Sequence, residues 1–162
     1  MSKIDFPVTT AIRALRANNI EFTPFFYEYT EKGGTHQTSL ELNVDEYTVV
    51  KTLVMESESE QFIVLMHGNL EVSTKELARQ IDCKRIDSCS QDTALKITGY
   101  QFGGTSPFGM RKSVQVYAED TIFNLDEIYI NGGKRGFIIK IKSQDLMKVL
   151  KIIKVKAGIN KN

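Results

Sequence analysis

The sequence predicts an α/β fold built on a strongly twisted mixed sheet of about seven short strands with helices around it. Segments rich in branched apolar residues, at 49–55, 61–67 and 137–142, are typical of strands. Amphipathic segments that begin at capping residues are typical of helices, and they lie between the strands. Because the two kinds of segment do not alternate strictly along the chain, we expect a mixed sheet rather than a purely parallel one.

The first 67 residues predict one helix and three strands. The helix is expected to begin at Thr9 or Thr10 and to end at Asn18 and Asn19. The strands are expected at 25–29, 49–55 and 61–67, and the last two should pair antiparallel. The connections are expected to be a loop at 31–38, one or two helical turns at 39–47 and an exposed acidic turn at 56–60.

The remaining residues predict three helices and four strands. Ser73 and Glu76 have the spacing of a capping box, in which the serine accepts from the Glu76 amide and the glutamate reaches back. A further helix is expected from Ser90 to Ile97. The strands are expected at 84–87, 113–117, 127–131 and 137–142, the last two as a hairpin. Ser143 should cap a last helix with Leu146, Met147, Leu150 and Ile153 facing the core and Lys148, Lys151 and Lys154 facing water.

Length and composition are those of one ordinary domain. The 162 residues suffice for one core and are few for two, so we expect a single domain over 1–162 with its core at about 9–157. The start of the chain, MSKIDFPVTT, lacks the apolar centre of a signal peptide, and no apolar run could span a membrane, which predicts a cytoplasmic protein. Cys83 and Cys89 lack zinc or redox spacing and are expected to be reduced thiols.

The net charge of +1 conceals an uneven distribution. Residues 1–139 carry 14 basic and 19 acidic side chains, a balance of −5, whereas residues 140–162 carry seven lysines against Asp145, a balance of +6. A basic segment indicates a polyanionic partner, although lysines on the solvated face of a terminal helix give the same pattern. Charge alone favours the second interpretation.

Seven of the 11 glycines lie in two short windows, at 99–109 and 132–136, and each window adjoins or contains a basic pair. The pairs are Arg111 with Lys112 and Lys134 with Arg135. Glycines let a backbone approach a ligand closely and turn its amides towards an anion. Two tight turns would also need glycines, but the basic pair in both windows favours one composite anion site.

Common motifs for nucleophilic or metal catalysis are absent from the sequence. His36 and His67 lack metal-ligand spacing, and Ser106 has no evident histidine partner. We therefore expect no metal and no cofactor, and catalysis would depend on backbone dipoles, a lysine or the substrate. Lys51 fits this expectation because strand alternation places it on an apolar face, where an ammonium is costly unless it meets an anion or water. An edge-strand lysine that discourages aggregation would show the same pattern.

Four segments in a fixed order resemble the YbaK/EbsC family, which is related to the editing domain of bacterial prolyl-tRNA synthetases. They are YE at 27–28, VVKTLV at 49–54, TGYQFGGTSPFGMRK at 98–112 and YINGGKRG at 129–136. The resemblance covers almost the whole chain from Thr9. It implies a twisted, partly barrel-like mixed sheet and an aminoacyl-tRNA deacylase that acts on mischarged tRNA(Pro), most closely Cys-tRNA(Pro), with Ala-tRNA(Pro) as the alternative.

The resemblance also implies roles for individual residues. Lys51 matches the lysine that the family needs for activity, and Gly103 and Gly104 belong to a G-x-x-x-P loop whose amides would hold the ester carbonyl. The substrate contacts implied by position are Tyr27, Thr98, Gly99, Tyr100, Thr105, Ser106, Pro107, Gly132 and Gly133. Ile138 departs from relatives that have a polar or acidic residue there, which leaves the preferred amino acid open.

The expected mechanism needs no protein nucleophile. A cysteinyl substrate could attack the ester with its own thiol, an alanyl one would need a held water, and Lys51 would anchor a phosphate or the ribose end. Arg111, Lys112, Lys134 and Arg135 would contact acceptor-stem phosphates. The implied partners are tRNA(Pro) and a prolyl-tRNA synthetase that selects it. Two alternatives stay open: a non-catalytic module that binds tRNA or a synthetase, and a hydrolase of another activated ester.

Overall fold

Ten strands and five α-helices form the fold that the computed structural model describes for residues 5–161. The helices are α1 (Thr10–Ala17), α2 (Gly34–Leu42), α3 (Thr74–Ile81), α4 (Gln91–Thr98) and α5 (Leu146–Val149). The strands are β1 (Thr23–Phe26), β2 (Val49–Ser57), β3 (Gln61–His67), β4 (Leu70–Val72), β5 (Ile86–Ser88), β6 (Gln115–Glu119), β7 (Glu127–Lys134), β8 (Phe137–Lys142), β9 (Ile152–Val155) and β10 (Gly158–Asn160).

Eight of these strands form one mixed sheet, which confirms the predicted fold class. The order is β1-β8-β7-β2-β3-β6-β9, and β5 adds to one end of β2. The β2–β3 and β7–β8 pairs are antiparallel as predicted, whereas β2–β7, β3–β6 and β6–β9 are parallel. β10 pairs with β4 outside this sheet. β2 is therefore a central strand, so Lys51 does not belong to an outer edge strand.

Apolar side chains pack on both faces of the sheet. Alternation along β3 sends Ile63 and Leu65 to a core shared with α1, and Phe62 and Val64 to a second core shared with α3. All four side chains are fully buried. Burying each contributes about 1.5–3 kcal/mol, so β3 anchors the central strands against both layers.

The structure corrects two predicted segments. The predicted loop at 31–38 contains the start of α2, whose first residue, Gly34, has a φ of +58° and opens onto free space. The predicted last helix stops at Val149, and Ile152–Val155 forms β9 beside β6. The branched residues of that segment favour a strand, and the parallel pairing with β6 stabilises the strand over the predicted helix. Both Ile153 and Met147 were predicted to face the core, but the side chain of Ile153 is 50% exposed and that of Met147 is 46% exposed.

Smaller corrections concern the ends of other elements. β1 lies at Thr23–Phe26 instead of 25–29, β5 at Ile86–Ser88 instead of 84–87, and β2 continues to Ser57, which shortens the acidic turn. β4 and β10 were not predicted. No helix within residues 5–161 combines the length and the apolar character that a membrane span requires.

Only one of the two hydrogen bonds predicted for the capping box of α3 is present. Ser73 accepts from the Glu76 amide at 3.2 Å, as a capping residue should. The Glu76 carboxylate, however, binds Arg79 and Gln80, while the Ser73 amide donates to the Ala157 carbonyl at 2.7 Å. The segment before β10 therefore occupies the position that the glutamate would take in a capping box.

Candidate functional site

A cavity of about 580 Å³ opens beside β2 at a gap in its hydrogen bonding. On that edge β2 pairs with β7 only through Val49 and Val50, and with β5 only through residues 55–57. Residues 51–54 lie between these pairings and line the cavity. The other walls come from the first turn of α2, the loop that follows α4, the β7–β8 hairpin and two tyrosines after β1.

Lys51 lies in the wall of this cavity, half-buried. Its amine donates to the Leu70 carbonyl at 2.5 Å and lies 3.4 Å from the Gly68 carbonyl. An ammonium has three donors, so one remains for a ligand. Burial lowers the pKa of Lys51, and the nearby charge of Lys161 lowers it further. Lys51 is therefore a constrained cation that lines the same cavity as the glycine-rich loop.

Two residues of the G-x-x-x-P loop, Gly103 and Thr105, line the cavity opposite β2. Gly103 has a φ of +87°, and a Cβ there would collide with the Tyr29 hydroxyl, so the position requires glycine. Neither the Gly103 nor the Thr105 amide donates to a backbone carbonyl between residues 5 and 161. Gly104, in contrast, is buried, and its amide donates to the Gln101 carbonyl at 2.9 Å. Gly104 therefore does not line the cavity, and its amide is already bonded within the loop.

The two glycine windows pack directly against each other, as a composite site requires. A Cβ on Gly104 would lie 2.8 Å from the Arg135 amide nitrogen, which shows how closely the backbones approach. The Arg135 side chain donates to the Phe102 carbonyl at 2.8 Å. The side-chain amide of Asn131 donates to the Gly103 carbonyl at 3.4 Å. The β7–β8 hairpin thus fixes the loop that lines the cavity.

Gly132 and Gly133 support the site from behind and do not line the cavity. The Gly132 carbonyl accepts from the Thr9 hydroxyl at 2.5 Å. Gly133 has a φ of +101° and lies against the ring of Tyr100, where a Cβ would be 2.8 Å from a ring carbon. Because neither glycine has a side chain, the β7–β8 hairpin can approach Tyr100 and the start of α1 closely.

Two predicted substrate residues, Tyr27 and Tyr100, do line the cavity. The Tyr27 hydroxyl hydrogen-bonds with that of Thr38 at 2.7 Å, and burial raises the pKa of Tyr27. The Tyr100 hydroxyl donates to the Phe108 carbonyl at 2.5 Å and pairs with Thr10 at 2.8 Å. Both rings are therefore rigidly placed in the wall.

Thr105 lines the cavity as well, whereas four other predicted substrate residues, Thr98, Gly99, Ser106 and Pro107, lie outside the lining and position the loop. Thr98 donates to the Ala94 carbonyl and accepts from the Tyr100 amide at 3.1 Å. Gly99 ends α4 with a φ of +81°. Ser106 and Pro107 are buried, and the Ser106 hydroxyl accepts from the Phe108 amide at 3.3 Å.

The four predicted tRNA-binding residues are exposed and flank the loop. Arg111, Lys112 and Lys134 point outside the cavity lining. The Arg135 guanidinium lies over the Tyr29 ring at 5.0 Å from its centroid, a favourable cation–π geometry. The structure thus brings both basic pairs to the outer surface around the glycine windows.

The structure adds cavity residues that sequence reasoning missed. Thr35 donates to the Glu46 carboxylate at 2.7 Å, and His36 lies 3.6 Å from the other Glu46 oxygen. Lys161 also lines the cavity, and so does Thr52, whose buried hydroxyl has no hydrogen-bond partner in the described part of the chain. His36 lies in a segment predicted as a loop that begins α2, and Lys161 follows β10, which was not predicted, so no local pattern placed either residue at the site.

The second histidine, His67, is a structural residue. Its ring is fully buried, stacks on Tyr47 at 3.7 Å between centroids and hydrogen-bonds with the Tyr47 carbonyl and the Thr121 hydroxyl, each at 2.7 Å. Burial lowers the pKa of His67. Over residues 5–161, no three His, Cys, Asp or Glu side chains are grouped as metal ligands.

Comparison with known proteins matches residues 34–149 to a family described as an aminoacyl-tRNA editing domain. EbsC of Enterococcus faecalis, named as a Cys-tRNA(Pro)/Cys-tRNA(Cys) deacylase, is 24% identical over 141 residues, 86% of each chain. The proline–tRNA ligase of Brachyspira hyodysenteriae is 24% identical over 99 residues, which cover 60% of this chain and 17% of the ligase.

The solved structures agree in fold. A crystal structure described as that of a trans-editing enzyme for prolyl-tRNA synthetase superposes with a TM-score of 0.80 at 15% identity, over 93% of this chain and 98% of the other. The family match spans well over half of the chain and includes Lys51, the 103–107 loop and the β7–β8 hairpin. The chain therefore belongs to the aminoacyl-tRNA editing domain family.

Proposed function

We propose that the chain is one editing domain that hydrolyses the ester of mischarged tRNA(Pro), and that the cavity beside β2 receives the aminoacyl group. The observation that carries this proposal is that Lys51 and Gly103, far apart in sequence, line one cavity. One side of that cavity supplies a cation and the other a glycine backbone. This pairing suits an ester that joins an amino acid to a polyanion.

The amides of Gly103 and Thr105 are the donors for the ester carbonyl. In the transition state negative charge develops on that oxygen, and fixed amide donors stabilise it without reorganisation. The Asn131 and Arg135 contacts hold the loop in place before the substrate arrives. Gly104 supports this geometry through its close approach to the hairpin.

Lys51 holds the nucleotide end of the substrate, at a phosphate or the ribose. Its amine is constrained by two carbonyls, so it is positioned rather than mobile. A role as general base is less favoured, because the lowering of its pKa would have to reach the working pH. For a cysteinyl ester, the substrate thiol attacks the carbonyl carbon, and the ribose oxygen leaves with the thiol proton. The thiolactone that this step forms is then opened by water to free cysteine, which completes the hydrolysis.

Part of the cavity wall is apolar, because Leu53, Val54 and Ile138 line it. The hydroxyl of Thr52 is the polar exception, and a buried hydroxyl without a partner costs about 1–3 kcal/mol. We propose Cys-tRNA(Pro) as the substrate, with Ala-tRNA(Pro) as the alternative.

Recognition of tRNA is divided between this chain and a partner. Arg111, Lys112, Lys134 and Arg135 would contact acceptor-stem phosphates, which attract tRNA but carry no sequence information. We propose that a prolyl-tRNA synthetase supplies the choice of tRNA(Pro). The relationship to proline–tRNA ligases supports this assignment.

The function is tested by following ester loss from Cys-tRNA(Pro), Ala-tRNA(Pro) and correctly charged Pro-tRNA(Pro). We expect release of the cysteinyl ester at the highest kcat/KM and no release of the prolyl ester above the spontaneous rate. Faster release of the alanyl ester would identify the alternative substrate. Hydrolysis of none of them, together with retained tRNA binding, would contradict the proposal and favour a non-catalytic tRNA-binding module.

A further inference from the structure

A second lysine reaches the cavity on a separate element, the β10 arm, which we define as residues 156–161. β10 runs antiparallel to β4, and Asn160 lies opposite Leu70. Lys161 follows directly, is exposed, and lines the same cavity as Lys51. The Leu70 carbonyl also accepts from the Lys51 amine, so β4 contacts Lys51 directly and pairs with the strand that precedes Lys161.

The β10 arm is held by a buried carboxylate. Glu119 is 7% exposed, and its two oxygens accept from the amides of Ala157 at 2.7 Å and Gly158 at 2.9 Å. Such charge-assisted bonds are stronger than neutral ones. Gln80 adds a second clasp, since it donates to the Lys156 carbonyl at 2.7 Å and accepts from the Lys156 amide at 2.9 Å. Residues 156–160 of the β10 arm are therefore held in place by these hydrogen bonds and by the pairing with β4, and Lys161 follows them directly.

The charges at this cavity are unbalanced. Its charged lining consists of Lys32, Lys51 and Lys161 against Glu46, with His36 beside the glutamate. Lys161 adds to the lowering of the Lys51 pKa, while Glu46 and Glu71 oppose it. Two ammonium groups on one cavity repel each other, and an anion bound between them would relieve that repulsion. The β10 arm thus places a second cation on the cavity, where one anionic ligand would contact both lysines.

We propose that Lys51 and Lys161 together form a phosphate site at the cavity, completed by the β10 arm. The inference rests on the proposed function, in which the ligand is the phosphodiester next to the terminal adenosine of an acceptor strand. Lys51 contributes the half-buried contact and Lys161 the exposed one. Glu119 is a positioning residue, because it acts only by holding the arm.

The test uses a short single-stranded RNA that ends in CCA and carries no amino acid. Its dissociation constant is measured over a series of salt concentrations for the unaltered chain, Lys161→Ala and Lys156→Ala. Lys156 is the matched control, since it is an exposed lysine of the same arm that does not line the cavity. We expect Lys161→Ala to raise the dissociation constant about three- to fivefold. It should also reduce the slope of log affinity against log salt by about 0.7.

A second variant tests the clasp. Glu119→Gln leaves one carbonyl oxygen for two amides, so Lys161 is retained but loses its support. We expect the same weakening as for Lys161→Ala, and little further loss when the two changes are combined. Should Glu119→Gln fail to fold, the comparison of Lys161→Ala with Lys156→Ala still decides. Unchanged affinity and slope in Lys161→Ala, or an equal effect in Lys156→Ala, would overturn the inference.

Deacylation assays on the same proteins separate this inference from the proposed function. A chain that hydrolyses no mischarged ester but shows the expected Lys161→Ala effect has the phosphate site without the proposed activity. A chain that hydrolyses the cysteinyl ester but binds the RNA equally well after Lys161→Ala has the activity without this phosphate site.

Discussion

Replacing Lys51 with methionine should lower kcat/KM for the mischarged ester by about 10²-fold, because hydrogen bonds to charged groups contribute about 1.5–3 kcal/mol. Methionine keeps an unbranched apolar chain but removes the ammonium. The free protein should remain folded, since the cost of partly burying a charge disappears together with its two carbonyl contacts. The measurement is ester hydrolysis at limiting substrate together with a thermal melt.

Lys75→Met is the matched control for Lys51→Met. Lys75 lies exposed on α3, outside the cavity lining, so its replacement should leave both hydrolysis and melting unchanged. A Lys51→Met protein that hydrolyses the ester at the unaltered rate would remove the lysine from the mechanism. An equal loss in both variants would show that general attraction of tRNA, and not this position, is responsible.

Gly136→Ala should lower the free energy of unfolding by about 2–4 kcal/mol. Gly136 has a φ of +73°, and a Cβ there would collide with the Tyr27 carbonyl oxygen. The Gly136 carbonyl also accepts from the Tyr27 amide at 3.0 Å, so the chain cannot move away without losing that bond. For a chain of this length we expect the melting temperature to fall by roughly 5–15 °C.

Gly34→Ala isolates the contribution of the close approach. Gly34 has a similar φ of +58°, but nothing lies within 4 Å of the position that its Cβ would take. Its replacement should cost no more than about 1–2 kcal/mol, the strain of a left-handed residue alone. Equal losses of stability in the two variants would contradict the account of Gly136, because backbone strain would then explain both.

The central strands could be predicted from the sequence because their signals are local. β2 and β3 consist of branched apolar residues separated by a short acidic turn, and they pair as expected. The β7–β8 hairpin follows from its glycine turn in the same way. Such patterns need no knowledge of distant residues, since the neighbouring strand is also the next one along the chain.

The secondary-structure predictions failed in segments whose conformation depends on contacts with residues distant in sequence. The segment around Lys151 and Lys154 has helical spacing of lysines, yet it forms β9 because β6 offers a parallel edge. β10 forms only against β4, and Glu119 holds it through backbone amides that no sequence pattern reveals. Tertiary pairing overrode local preference in both cases.

The residues of the candidate site also fall into two groups, those that a sequence motif identified and those that only the fold brings to the cavity. Lys51 and the 103–107 loop carried recognisable motifs and lie on one cavity. Gly104, Gly132 and Gly133 carried motifs too, but their role is to let two backbones approach each other. Glu46, His36 and Lys161 carried none, because each reaches the cavity from a different element. A motif therefore identified the loop, whereas only the fold distinguished lining residues from supporting ones.

The most direct test is a crystal structure with a stable analogue, in which an amide replaces the ester between cysteine and the 3′ end of a CCA oligonucleotide. The account predicts the cysteinyl group in the cavity, its carbonyl oxygen within hydrogen-bond distance of the Gly103 or Thr105 amide, and the nucleotide end at Lys51. An analogue bound with its aminoacyl group outside this cavity, with the Lys51 amine bonded only to the Leu70 and Gly68 carbonyls, would contradict it.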